Sequence, residues 1–222
     1  MKRRTMVSAA AAALLYAVLW IGWTQGWSWL TAMDTWLLDV CARPAIGNPT
    51  WVRSWEVFCD VFGPLVFRTI GLVVIVVLLN RRYLRAALFL LLTVELSALV
   101  LVVAKLLAQR PRPASAMVHA AGTSFPSGHA LGVSLSVLAL LTVTLPLVSP
   151  QWRRVLVVLG AVIVVAIGIG RVILNVHNPS DVLAGWALGY LYYVVFYAIM
   201  KPLPLTQIKA RGETPATPGT AH

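Results

Sequence analysis

F-P-S-G-H-A-L-G-V-S-L-S-V-L-A-L-L-T-V-T-L-P-L-V, residues Phe125–Val148, sets a short polar cluster at the mouth of an apolar run, Ala130–Val148, that holds no charged side chain. At 1.5 Å rise per residue, roughly 20 such residues cross the hydrocarbon core of a bilayer. The run is continuous rather than alternating, so a helix is expected and a barrel strand is not. Five further runs flank it: Val7–Trp23, Val61–Leu79, Leu84–Leu107, Val155–Ile169 and Val182–Met200. The fifth in chain order, Val155–Ile169, is short unless Val172–Leu174 extend it beyond Arg171. A 222-residue chain that is 59% hydrophobic and 11% charged reads as one all-α, polytopic membrane domain, 1–222, with six transmembrane helices.

The net charge of +11 is first a topology signal rather than a nucleic-acid signal. Lys2, Arg3, Arg4, Arg81, Arg82, Arg85, Arg153, Arg154, Lys201, Lys209 and Arg211 all fall on one side of the six-span arrangement. By the positive-inside bias that side is the cytoplasm, with both termini there and the other loops outside. In a bacterium this is an inner-membrane protein, and residues 201–222 form a disordered cytoplasmic tail. Val7–Trp23 follows a basic n-region and so imitates a signal peptide. Its length, the interfacial Trp20 and Trp23, and the lack of a clean small-x-small site favour a retained helix.

Residues 24–60 carry Trp27, Trp29, Trp36, Trp51 and Trp55 with Asp34, Asp39, Glu56 and Asp60. The stretch is too polar to span and too apolar to float, so one or two short interfacial helices on the outer surface are expected. They serve as a structural collar or as a rim for lipid entry. Cys41 and Cys59 lie in the same segment, where a disulfide is permitted by compartment and two free thiols are equally ordinary. Glu95, about 15 Å along its helix from Lys105, reads as a buried packing residue. His119 has no partner at a telling spacing and reads as solvated.

Three polar clusters remain, each at the end of an apolar run: Lys105–Pro113 (K-L-L-A-Q-R-P-R-P), Phe125–His129, and Gly170–Asp181 (G-R-V-I-L-N-V-H-N-P-S-D). Pro111 and Pro113 stop the third helix. Lys105, Arg110 and Arg112 could simply snorkel, yet three cations on the side where positive charge is disfavoured suit an anion better, and a proline-fixed arginine is preorganised for it. Ser127 is a good N-cap and Gly128 lets an anion approach free helix-start amides; capping alone does not explain the titratable His129. Asn178-Pro179-Ser180-Asp181 is a helix start with an acid at the third position. Asp181 is thus a capping acid that also lies four residues after His177, close enough to orient an imidazole.

Together, K-x6-R-P, P-S-G-H and R-x5-H-x3-D, in this order, resemble the type 2 phosphatidic acid phosphatase (PAP2) superfamily and its membrane-bound bacterial lipid phosphatases. The residues are Lys105, Arg112 and Pro113; Pro126, Ser127, Gly128 and His129; Arg171, His177 and Asp181. The match covers Lys105–Asp181 firmly and excludes the Trp-rich segment. Gly170 stands where the third motif usually has serine, and Arg110-Pro111 competes with Arg112-Pro113, but only the latter fits six residues after Lys105. The resemblance implies that His177 attacks phosphorus, Asp181 holds its tautomer, and His129 protonates the leaving oxygen and then activates water. Lys105, Arg112 and Arg171 would bind the phosphate oxygens with the Ser127 hydroxyl and the Gly128 amide. It implies a lipid phosphate or diphosphate substrate at the outer membrane face, undecaprenyl-type diphosphate first, phosphatidylglycerol phosphate or phosphatidic acid next. No cofactor, metal cage, nucleic acid or protein partner is expected. A soluble vanadate haloperoxidase relative fits poorly with six spans, and a transporter or lipid-binding protein would not need the His129/His177/Asp181 set.

Overall fold

The computed structural model describes residues 3–202. Nine α-helices are ordered along these residues: α1 (Arg3–Thr24), α2 (Ser28–Ala42), α3 (Pro49–Val61), α4 (Pro64–Asn80), α5 (Leu84–Leu90), α6 (Ser97–Ala108), α7 (Gly128–Thr144), α8 (Pro150–Ile173) and α9 (Pro179–Met200). Six helical stretches are long and apolar enough to cross a membrane: Arg3–Thr24, Pro49–Asn80, Leu84–Ala108, Gly128–Leu147, Pro150–Ile173 and Pro179–Met200. These are the six expected from the sequence. The chain is an all-α, multi-pass membrane protein.

One boundary was left open by the sequence and another differs from it. The fifth span does extend beyond Arg171, as far as Ile173, so Arg171 sits in its last helical turn. An arginine there is tolerated because its side chain turns inward, leaving the residue only 7% exposed. The second span is longer than expected because α3 runs into α4 through a bend at Phe62–Gly63, with Pro64 opening the new helix where its missing N–H costs nothing. Residues 24–60 do form helices, α2 and α3, as the tryptophan pattern suggested. Of the tail expected over 201–222, residues 203–222 lie outside the described residues, as do Lys2, Lys209 and Arg211.

α7 is the central helix. Every residue from Ala130 to Val137 is buried, as expected for a helix apolar all round. It packs on α9, α8 and α4. The approach of α7 to α9 is close because Gly185-x3-Gly189 faces it: a Cβ on Gly185 would lie 2.7 Å from the Ser127 carbonyl oxygen, and one on Gly189 would lie 2.9 Å from the Ser134 hydroxyl. Around this centre the bundle wears its apolar side chains outward; Leu65, Val73, Leu106, Leu107 and Val158 are exposed, which suits a lipid surround and not water.

α5 and α6 are one span interrupted by a π-helical turn, Leu91–Glu95. Such a turn frees a carbonyl, and the Tyr192 hydroxyl donates to Leu92 O at 2.9 Å. Glu95 lies in this turn, half-buried, with one carboxyl oxygen unpartnered against Gly71 of α4. Both cysteines are free, Cys59 buried beside Arg171 and Gly170, Cys41 against Val172 and Trp186. His119 is exposed, as expected.

Candidate active site

Helix ends gather the three polar clusters at one end of the bundle. α6 ends at Gln109, in the left-handed region at φ 45°, and the two prolines then carry Arg110 and Arg112 across the end of the bundle. α7 starts at Ser127, whose hydroxyl accepts from the Ala130 N–H at 3.4 Å, and whose own N–H donates to Asp181 O at 2.9 Å. That backbone bond ties the start of α7 to the start of α9. The last turn of α8 is tied to the residues before α9 by the Val176 and His177 N–H groups, both donating to Arg171 O. The N-terminus of α4 closes the site: a Cβ on Gly63 would lie 3.5 Å from His129 Nε2.

His177 is 2% exposed, and its ring atoms have defined roles. Arg112 Nη1 lies 3.2 Å from Nε2. A guanidinium has no acceptor, so Nε2 must offer its lone pair and the neutral ring carries its proton on Nδ1. Nδ1 faces Asp181 Oδ2 at 3.6 Å, an electrostatic contact longer than a hydrogen bond, and it has no closer partner. Burial pushes the His177 pKa down to about 4, against the pull of Asp181 and with the help of Arg171 and Arg112. The ring is therefore neutral at physiological pH, with an available lone pair directed at a cation.

Arg112 is held in that place by backbone carbonyls. Its Nη1 donates to Val176 O at 2.8 Å, Nε to Gly122 O at 3.0 Å and Nη2 to Ala121 O at 2.8 Å. Of the two competing arginines, Arg112 is thus the one beside the imidazole, as the motif spacing required. Lys105 Nζ donates to Thr123 O in the same loop. Arg171 is buried with its Nε unpartnered. Its nearest electrostatic company is Cys59 and Asp60. Ser127 is fully buried in its capping role, whereas Gly128 and His129 are partly open. Lys105, Arg112, His129, Arg171, His177 and Asp181 therefore converge, with Ser127 and Gly128 supplying the helix start behind them.

Asp181 is anchored on both oxygens. Oδ2 accepts from the Asn178 N–H at 2.8 Å, which is the capping arrangement expected from N-P-S-D. Oδ1 accepts from Arg110 Nη1 at 2.7 Å. Arg110 also donates through Nη2 to Asp34 Oδ2 at 2.8 Å, and Asp34 accepts from the Ser180 N–H at 3.0 Å and from the Ser180 hydroxyl at 2.6 Å. The sequence reading set Arg110 aside in favour of Arg112 and gave Asp34 and Ser180 no place in the site. Arg110 carried a signal, being a second arginine fixed by proline. Asp34 carried none beyond being an acid in a Trp-rich segment. Among the described residues, no group of three or more His, Cys, Asp or Glu side chains is arranged to hold a metal ion.

Comparison with known proteins places these residues in a family context. The model of the PAP2 superfamily matches residues 86–204. An undecaprenyl-diphosphatase of Sulfolobus acidocaldarius is 48% identical over 66 residues, 30% of this chain and 28% of that protein. Phosphatidylglycerophosphatase B of Bacillus subtilis is 42% identical over 89 residues, 38% of this chain and 43% of that protein. The chain thus matches less than half the length of either curated relative. A solved structure, the transmembrane PAP2 type phosphatidylglycerolphosphate phosphatase from Bacillus subtilis, superimposes with a TM-score of 0.74 at 22% identity, over 87% of this chain and 96% of that one. This last likeness is one of fold.

Proposed function

We propose that this chain, which belongs to the PAP2 superfamily, is an integral membrane phosphatase that removes phosphate from a lipid phosphate or diphosphate through a phosphohistidine. The observation that carries the reading is the pairing of His177 Nε2 with Arg112, which leaves a buried, neutral imidazole with its lone pair facing a phosphate-binding cation. His177 Nε2 forms the bond to phosphorus as the bond to the lipid oxygen breaks. In this reading the anionic substrate brings His129 a proton, which His129 gives to that oxygen; the ring then takes one from the water that splits the P–N bond, so inorganic phosphate leaves and His177 regains its lone pair. Lys105, Arg112 and Arg171 balance the charge of the phosphoryl oxygens during both steps, which is where most of the catalysis of phosphoryl transfer lies. The Gly128 amide and the Ser127 hydroxyl complete the cradle at the start of α7.

The site faces the outside in this reading, with both termini in the cytoplasm. Arg81, Arg82, Arg85, Arg153 and Arg154 lie at the opposite end of the spans, which supports that orientation. A lipid substrate is supported by the apolar exterior and by a groove of about 330 Å³ lined by Tyr16, Trp20, Val103, Ala104, Leu107 and Leu188. Its α6 wall includes the turn that carries Lys105. Undecaprenyl-type diphosphate is the leading substrate, since the relative with 48% identity bears that name. Phosphatidylglycerol phosphate is the second, supported by the Bacillus subtilis relative.

The test is phosphate release by purified protein in detergent with EDTA, from undecaprenyl diphosphate, phosphatidylglycerol phosphate and phosphatidic acid side by side. Release is expected, fastest from the diphosphate, and His177→Ala is expected to abolish it. Undiminished release by His177→Ala, or strict dependence on added magnesium, would overturn the mechanism. Tight binding of all three lipids without release would favour a binding or transport role.

A further inference from the structure

We propose that Asp34 and Arg110 are positioning residues for His177, acting through Asp181, so that the Trp-rich segment supplies part of the catalytic apparatus rather than only a collar around it. The proposal rests on the phosphatase reading above for its kinetic consequence and on the hydrogen-bond geometry for its structural one.

Arg110 is 6% exposed and lies under the His177/Asp181 pair, not beside the phosphate cradle. Its guanidinium bridges two carboxylates, with Nη1 on Asp181 Oδ1 at 2.7 Å and Nη2 on Asp34 Oδ2 at 2.8 Å. Its face is stacked on Trp23 at 4.8 Å, and Trp23 Nε1 donates to Ala108 O at 3.0 Å, the free carbonyl where α6 ends. Asp34, 2% exposed, reaches from α2 across 146 residues of sequence to the Ser180 N–H in the first turn of α9. Every group facing Asp34 in this network is a donor, so it serves as a carboxylate and a remote cap of α9. A cap alone needs no arginine. The arginine is explained by the second carboxylate: it ties Asp181 Oδ1 to α2 while Oδ2 remains turned to His177 Nδ1.

The charges give the network a direction. One guanidinium between two carboxylates leaves one net negative charge beneath a neutral imidazole. When Nε2 bonds to phosphorus the ring, still protonated at Nδ1, becomes cationic, and its Nδ1 side then meets the one negative charge of the Asp34, Arg110 and Asp181 group, while Arg112 on the Nε2 side faces the phosphoryl oxygens. A buried excess charge of this kind stabilises the intermediate more than the resting state, the requirement for raising kcat rather than lowering KM. Removing the guanidinium leaves Asp34 and Asp181 buried without the cation that joins them and frees Asp181 Oδ1 to turn. Asp181 then no longer specifies the Nδ1–H tautomer.

The experiment uses the full chain in detergent, as wild type, Asp34→Asn, Arg110→Gln and the double variant. Steady-state phosphate release from undecaprenyl diphosphate is measured together with the ¹⁵N imidazole spectrum of histidine-labelled protein. Wild type is expected to show His177 as a single Nδ1–H tautomer. Asp34→Asn is expected to lower kcat roughly tenfold and Arg110→Gln roughly a hundredfold, the range for groups that orient a reacting ligand, with KM within about threefold. The double variant should be no slower than Arg110→Gln alone, because both act through one contact. In the variants the His177 signals should shift to a tautomer mixture. An unchanged kcat and an unchanged His177 spectrum in folded Arg110→Gln would overturn the proposal. So would a loss of kcat that merely tracks the unfolded fraction in thermal melts. Should Arg110→Gln not accumulate, Asp34→Asn, which keeps shape and volume, decides by the same readouts. If the wild type releases no phosphate from any lipid, the phosphatase reading falls, and the His177 spectrum alone judges the network.

Discussion

Replacing Arg112 by lysine keeps the charge and removes the fork. In the structure the guanidinium makes four contacts at once, to His177 Nε2 at 3.2 Å and to the carbonyls of Val176, Ala121 and Gly122 at 2.8, 2.8 and 3.0 Å. A lysine ammonium, one point on a flexible stem, can occupy one of these directions well but not all four. Two of the lost bonds hold an exposed loop and cost little stability, about 1 kcal/mol each at most. In the proposed mechanism the contact to Nε2 marks where phosphoryl oxygens sit during attack, and losing one such preorganised donor costs about 2.7–4 kcal/mol of transition-state stabilisation, a fall of about 10² to 10³ in kcat. Because lysine retains charge, the lower end is expected: kcat down about a hundredfold, KM up a few-fold, and the melting temperature almost unchanged. Phosphate release measured beside the inactive His177→Ala sets the scale. A lysine variant within threefold of wild-type kcat would refute the view that Arg112 acts through its fork geometry.

Two further outcomes follow from the same geometry. Since burial lowers the His177 pKa from the ordinary 6.5 to about 4, the nucleophile stays neutral from pH 7 down to about 5 and is lost as pH falls through 4; Asp181→Asn removes a contact that raises this pKa, so the acid limb of kcat should move lower while the plateau falls, and an upward movement would contradict the assignment. Gly185→Val should lower both the melting temperature in detergent and kcat, because the new Cβ would lie 2.7 Å from Ser127 O and 3.2 Å from the Leu131 nitrogen, backbone atoms that yield only if α7 and α9 part; wild-type values for both would show that the seam is not tight.

What was legible in the sequence divides along physical lines. The spans were readable because hydrocarbon thickness acts on composition residue by residue, and the helix starts at Ser127 and Asn178 because caps are local. The grouping of Lys105, Arg112, His129, Arg171 and His177 was readable because each lies where an apolar run ends, and ends of successive antiparallel spans must share a surface. The end of α8 was less readable. Arg171 looked like a boundary, yet a buried cation inside the helix is stable once the site provides polar company, which no local pattern reports. Asp34 was hidden for the same reason at longer range. Its partners, Arg110 and Ser180, are joined to it only by the packing of α2 against α9. Glu95 was read as a buried packing residue, and the π-helical turn places it half-buried against Gly71.

The single backbone bond from Ser127 N–H to Asp181 O has an implication for how such a site can evolve. It joins the cap of the helix that carries His129 to the first turn of the helix that follows His177, and the glycines behind it leave no slack. The distance between the two imidazoles is therefore a property of main chain and not of any side chain that drift could exchange. A lineage built on this seam is free to alter its lipid-facing walls, and hence the tail and linkage it accepts, without retuning the spacing of its two reacting groups. Diversity of substrate among relatives with one shared geometry is the expected result.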